Sequence, residues 1–311
     1  MERDNRYYEQ VSLLVRMLPI VATEPVFALK GGTAINLFVR NFPRLSVDID
    51  LAYLPLEPRD EALVNAKAAQ QRIAGLINVR SGARAVLQAQ KADELRIVVT
   101  GSNALIKIEV SPVARGTLHK PENLAVRGSV EDEFGYAEIP VVSLPDLYGG
   151  KLCAAMDRQH PRDLFDVSVL LAGEGISREI FVGFITYVLS HPRPVNEVMA
   201  PHWKPLDEIF HREFAGMTFE PVELQDLLAV RPAMVAALQN HLTEKDCAFL
   251  LSFKQGNPDW SLFDYPNAAA LPAIRWKLHN IAKLSKNKRK HTEQLKKLEV
   301  VLENWLSKGK E

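Results

Sequence analysis

The chain has 311 residues, longer than the roughly 100–150 of a typical single domain, so one catalytic unit followed by a helical unit is the expected organisation. Its 47% hydrophobic and 24% charged residues suit a globular protein with a full core, and no apolar run nears the ~20 residues needed to cross a bilayer, so no membrane association is expected. The formal charge of zero hides a polarity: residues 275–311 hold eleven Lys/Arg against four Glu, a basic end that can meet a phosphate backbone, an acidic partner or only solvent.

The opening MERDNRYYEQ lacks the basic start and apolar stretch of a secretory signal, which predicts a cytoplasmic protein. Cys153 and Cys247 lie far apart with no metal-binding spacing and are read as core residues. Apolar spacing over 7–22 predicts a helix, VFALKG (26–31) a short buried strand, and Gly31-Gly32 its end. Thr33 is placed to cap a helix over AINLFVR. A strand follows at 48–54, a helix at 60–77, and strands at 83–90, 94–101, 104–112 and 137–143. The turns Lys91-Ala92-Asp93 and Gly101-Ser102-Asn103 suit hairpins.

Beyond 143 the pattern is almost wholly helical. Ser143 and Pro145 mark the start of LPDLYGGKLCAAMDR, and Pro161 ends that helix and opens RDLFDVSVLLAG. Further helices are predicted at 177–190, 221–240, 244–254, 267–286 and 289–307, with a proline-rich connector over 191–208. The sequence reads as a sheet unit to about residue 142, completed by helices to 195, and a helical domain over 196–311 with a basic end. Trp203, Trp260, Trp276 and Trp305 are read as packing residues, because no aromatic alternates with basic residues on a predicted strand. The Gly149-Gly150 pair inside a helical pattern suggests close backbone packing.

The chemistry concentrates in GGTAINLFVRNFPRLSVDIDL. Side chains alternate along a strand, so Asp48 and Asp50 share one side while Val47, Ile49 and Leu51 take the other. Two such carboxylates repel unless a cation lies between them, and hard Mg2+ or Mn2+ takes oxygen ligands from carboxylates and triphosphate. Glycines at 31 and 32 let backbone N–H groups approach phosphates, and the helix that follows adds its positive end. Glu109 in IKIEV is the candidate third carboxylate of a two-metal site, in which metals about 4 Å apart stabilise the attacking and leaving oxygens. Arg44 and Ser46 are candidates for phosphate contact, while His160, before a proline at a helix break, is read as structural.

The order strand, GG[ST], DxD on a strand and a later acid on a strand resembles the polymerase β-like nucleotidyltransferase superfamily. Together with GGKLCAAMDRQHPRDLFDVSVLL, these motifs, spanning about residues 29–171, look like the AbiEii/AbiGii toxins of type IV toxin–antitoxin and phage-defence systems. That family's K-x-x-A-x-x-x-R-x-x-x-R-D-x-x-D block falls on Lys151, Ala154, Arg158, Arg162, Asp163 and Asp166. Lys151 and Arg158 are two helical turns apart and share a face, so these cations can hold triphosphate while Asp163 or Asp166 orients them or assists proton transfer. The competing account is an ordinary salt-bridge network joining two helices.

The resemblance implies an α+β fold with a mixed sheet followed by a helical domain. It also implies an NTP-consuming, metal-dependent nucleotidyltransferase with Gly31, Gly32, Thr33, Arg44, Ser46, Lys151, Arg158 and Arg162 on the nucleotide. The catalytic set is Asp48, Asp50, Glu109, Lys151, Asp163 and Asp166, with Asp48, Asp50 and Glu109 on the metal. The implied acceptor is RNA, the 3′ end of tRNA, blocking translation until a cognate antitoxin opposes it. A protein or small-molecule hydroxyl is the alternative acceptor, and a nucleotide-binding protein without turnover the alternative class.

Overall fold

In the computed structural model, residues 6–88 and 93–309 are described. The last two residues of the strand expected at 83–90, and Lys91 and Ala92 of the expected turn, fall outside them. The chain forms two compact units, one of residues Met1–Ser143 and His211–Val222, the other of Leu144–Phe210 and Glu223–Glu311.

The first unit is built on a seven-stranded mixed sheet: β1 (Phe27–Lys30), β2 (Asp48–Tyr53), β3 (Arg84–Gln88), β4 (Arg96–Thr100), β5 (Leu105–Arg115), β6 (Glu122–Ala125) and β7 (Glu138–Val141), in the order β3-β4-β5-β2-β1-β7-β6. β2 lies antiparallel to β1 and parallel to β5, and β1 runs parallel to β7. The expected β4–β5 hairpin forms, closed by Gly101 N–H donating to Ala104 O at 2.8 Å. Ile49, Leu51, Ile97, Val99, Ile106, Ile108 and Val110 are buried, as the period of two requires. Helices α1 (Arg6–Val21) and α3 (Arg59–Arg80) pack on the sheet through Val11, Leu14 and Leu18 and through Ala62, Ala66, Ala69, Ile73 and Ile77. The edge strand β6 was not expected, since ENLA has neither alternation nor β-branched residues and is held by its pairing to β7.

One local expectation is corrected. The helix after β1 begins at Gly31, not beyond Thr33: α2 (Gly31–Thr33) runs directly into a π-helix over Ala34–Val39, whose N–H of Arg40 bonds back to Ile35 O at 2.8 Å. Thr33 is therefore inside the first turn and caps nothing. Its buried hydroxyl donates to the carbonyl of Asp48 at 2.5 Å and lies 2.9 Å from Ser46 Oγ, tying the turn to β2. A short helix, α4 (Gly128–Phe134), completes the elements of this stretch.

The second unit is helical: α5 (Leu144–Asp157), α6 (Pro161–Ala172), α7 (Arg178–Ser190), α8 (Val195–Met199), α9 (Asp207–Glu213, ending in the first unit), α10 (Leu224–Gln239), α11 (Glu244–Gln255), α12 (Pro272–Ser285) and α13 (Lys288–Lys308). The expected connector thus contains α8 and the start of α9. Two 3-10 turns, Trp260–Leu262 and Pro266–Ala270, precede α12, which starts at Pro272 because proline suits a first helical position and cannot continue the turn before it. Cys153 and Cys247 are buried free thiols, both pushed up to about 12 by burial above all. Trp305 is buried and Trp260 packs among Phe249, Phe253 and Phe263, but Trp203 and Trp276 are exposed, correcting their reading as packing residues. On α12 the inward face is Ala273, Ile274, Lys277 and Ile281, and Trp276 points away from it.

Gly149 has the close-packing role expected of it. A Cβ there would stand 2.4 Å from the Gly183 carbonyl carbon, and one on Gly183 would stand 2.1 Å from Pro145 O, so α5 and α7 meet backbone to backbone. Gly183→Ala is expected to cost about 3 kcal/mol or more, at the top of the usual range for overpacking because the clash is with main chain. A urea midpoint unchanged from wild type would show that the helices can separate freely.

Candidate active site

On the first unit, three chain segments converge where β1 ends. Gly31 adopts φ +77°, a left-handed conformation that glycine takes without penalty, and a Cβ on it would lie 2.6 Å from Asp50 Oδ2. A Cβ on Gly32 would lie 2.7 Å from an Arg44 Nη2 and 3.1 Å from Ser46 Oγ. The two glycines are thus required by different neighbours, the first by the Asp50 carboxylate and the second by the loop before β2. Arg44 and Ser46, expected to reach phosphate, are buried, 2% and 7% exposed, with Arg44 Nη1 donating to Leu45 O at 2.7 Å. Asn36 Nδ2 donates to Gly32 O at 2.8 Å, holding the turn from the other side.

Asp48 and Asp50 are half-buried on the side of β2 opposite Ile49 and Leu51. Asp50 stands in register with Lys30 on β1 and with Glu109 on β5. A cleft of about 310 Å3 is lined by Lys30, Asp50, Glu94, Arg96, Glu109 and Ser111 among others. Glu109 is one-third exposed and ion-paired with Arg96, its direct cross-strand partner on β4. Among the described residues, no group of three or more His, Cys, Asp or Glu is arranged to hold a metal ion. The oxygen donors of Asp48 and Asp50 have the chemistry of a hard-cation site, whereas Glu109 is engaged by a guanidinium. Lys30 and Arg96 were missed by sequence reasoning. Arg96 was within reach: counting back from the Gly101-Ser102-Asn103 turn sets Thr100 opposite Leu105 and hence Arg96 opposite Glu109.

On the second unit, the Lys/Arg/Asp block forms around the break between α5 and α6. Gln159 turns the chain in the left-handed region at φ +59° and is buried, its amide donating to His202 O at 2.9 Å and its carbonyl accepting from Lys204 N–H at 2.8 Å. His160 caps α6, its ring accepting from Arg162 N–H at 3.1 Å, and Pro161 fills the first helical position. The next turn carries Asp163 and Asp166, i and i+3 on one face, both fully buried. Lys151 Nζ, 5% exposed, sits 2.9 Å from each, while Arg158 forms a two-pronged pair with Asp163 at 2.5 and 2.8 Å. Burial alone would raise the Asp163 carboxyl, but the Lys151 charge and the Arg158 hydrogen bonds outweigh it and hold the group well below the usual carboxylate range. The block therefore includes the salt-bridge network weighed against a phosphate site. Lys151 is enclosed between the aspartates, whereas the Arg158 side chain is 64% exposed and Arg162 half-buried.

A model of the family described as "Nucleotidyl transferase AbiEii toxin, Type IV TA system" matches residues 12–280. The chain belongs to this AbiEii family. It is thus a nucleotidyltransferase toxin of a type IV toxin–antitoxin system, a class that consumes a nucleoside triphosphate and has an antitoxin as its counterpart. Among solved structures, the chain is similar to MenT4, a nucleotidyltransferase toxin from Mycobacterium tuberculosis H37Rv, with a TM-score of 0.58 and 17% identity over 90% of this chain and 93% of that one. That likeness is one of fold. No curated protein gives a match. Among the described residues, no helix is long and apolar enough to cross a membrane.

Proposed function

We propose that this AbiEii protein transfers a nucleoside monophosphate from an NTP to a hydroxyl at the 3′ end of RNA, with tRNA as the acceptor, through a divalent-metal site on Asp48 and Asp50. The observation that carries the reading is the fit of Gly31 against the Asp50 carboxylate, which brings the phosphate-approaching turn and the acidic strand within van der Waals distance. In the reaction the acceptor oxygen attacks the α-phosphorus, a new O–P bond forms, and the bond to the bridging oxygen breaks as pyrophosphate leaves. Gly31 and Gly32 bring main-chain N–H groups toward the triphosphate, Thr33 ties that turn to Ser46 and the Asp48 carbonyl, and Arg44 packs against Gly32. Asp48 and Asp50 are the residues that would hold Mg2+ or Mn2+, which when bound would supply charge stabilisation at the phosphoryl oxygens. Glu109, in register with Asp50 and held by Arg96, is the base for the acceptor proton. Lys151, Asp163 and Asp166 brace the second unit so that Arg158 and Arg162 offer positive charge to anionic groups. The cognate antitoxin opposes this activity.

The test supplies each of the four NTPs, labelled at the α-phosphate, with Mg2+ or Mn2+ and with tRNA, cell protein or a pool of small hydroxyl compounds as acceptor. Label is expected in tRNA, and to be abolished when periodate has destroyed the 3′ diol. Label in protein or small molecules would replace the acceptor, and no label in any fraction would leave a nucleotide-binding protein without turnover.

A further inference from the structure

Residues 265–292 contain no Asp or Glu but seven Lys/Arg. The α12 helix within this stretch turns one face inward, where Lys277 Nζ donates to the carbonyls of His191 and Arg193, so its orientation in the helical unit is fixed. The outward face carries Arg275, Trp276, His279, Lys283 and Lys286, at the three- and four-residue spacing that makes a continuous stripe. Trp276 is 57% exposed, a large apolar area to leave in water. His279 stacks beside it, ring centroids 5.5 Å apart with planes 26° apart, and Lys283 Nζ lies 5.8 Å from the indole centroid. Exposed Lys288 and Lys290 continue the charge at the start of α13, beside Arg289, which pairs with Glu293 at 3.1 Å.

We propose that this stripe is a binding surface for single-stranded RNA, with Trp276 and His279 stacking a base and the flanking lysines and arginines meeting the phosphates. The proposal deepens the reading of an RNA acceptor and rests on it. Two features favour a nucleic acid over an acidic protein. A flat, largely exposed indole with a lysine over its ring and a histidine stacked beside it is the element that stacks bases without regard to sequence, and it lies within residues 265–292, which hold no acid to repel a phosphate chain. An acidic protein would require the cations but not the exposed ring.

The test is fluorescence anisotropy of a short, unstructured, end-labelled RNA with the full chain, in the absence of NTP and divalent metal. Wild type is compared with Trp276→Ala, Trp276→Phe and Lys283→Ala, with circular dichroism to confirm folding. Trp276→Ala is expected to weaken binding by about tenfold or more, Trp276→Phe to recover most of that loss, and Lys283→Ala to flatten the salt dependence by about one unit of slope. Binding by Trp276→Ala within about twofold of wild type would overturn the proposal, as would a phenylalanine no better than alanine, or polyglutamate displacing the RNA at equal charge concentration. Because no turnover is involved, failure here leaves label transfer intact, whereas failure of the nucleotidyl-transfer reading appears as absent label with binding retained.

Discussion

Lys151→Met is expected to destabilise the helical unit by about 3–5 kcal/mol at neutral pH, more than any other single change on this cationic block. The methionine nearly preserves the volume of the side chain, so the loss is electrostatic. Asp163 and Asp166, both fully buried, lose the ammonium 2.9 Å from each of them, while Arg158 still reaches Asp163 from a largely exposed position. The pH dependence has a defined sign. In wild type the depressed Asp163 carboxyl contributes stability that is complete above the ordinary aspartate value of about 4 and is lost as pH falls through its lower folded value. In the variant only the Arg158 contacts still oppose burial, so the Asp163 carboxyl is less depressed and less stability is left to lose as pH falls. The gap between variant and wild type therefore narrows on acidification. Urea melts at neutral pH and at about pH 3, below the ordinary aspartate value, check this; a loss under about 1 kcal/mol at neutral pH, or a gap that widens in acid, would contradict a buried lysine shared by two carboxylates. A further consequence is that lost activity in a Lys151 variant reports on folding before it reports on chemistry.

Gly31→Ala is the second change with a large expected effect, and it acts on the first unit. Alanine at φ +77° costs about 1–2 kcal/mol for the left-handed backbone alone, and its Cβ would press at 2.6 Å on Asp50 Oδ2. Either the carboxylate or the turn must move by about an ångström, a displacement that lowers rates by about a hundredfold where reacting groups are held in position. The expected result is label transfer reduced by about that factor, with the melting temperature lowered by only a few degrees. Transfer at the wild-type rate would mean that the Gly31–Asp50 contact does not set the geometry of the reaction.

How far the sequence reaches differs between the two units for a physical reason. Period-two alternation placed Asp48 and Asp50 on one side of β2 and Ile49 and Leu51 on the other, because strand geometry is local. The α5–α6 break was legible for the same reason, Pro161 acting on adjacent residues, whereas His160 was read only as structural and its capping of α6 is seen in the structure. Tertiary contacts were not. That Lys151 is enclosed by Asp163 and Asp166 depends on the angle between two helices, which the left-handed Gln159 sets and no sequence pattern marks. Thr33 was read as a cap because its type suits one, whereas its hydroxyl is claimed by Ser46 and the Asp48 carbonyl, fifteen residues further on. Trp276 was misread because tryptophan composition favours burial, and only the inward placement of Ile274, Lys277 and Ile281 reveals which side of α12 it occupies.

The measurement that bears most directly on the account is transfer of label from an α-labelled NTP to tRNA by wild type and by Asp48→Ala, with the melting curves of both recorded. Asp48 is half-buried on the acidic side of β2, so its removal is expected to leave the fold intact while lowering transfer about a thousandfold or more, the scale of several kcal/mol of lost charge stabilisation. Transfer by Asp48→Ala at a rate comparable to wild type would contradict a nucleotidyl-transfer site built on the Asp48–Asp50 pair.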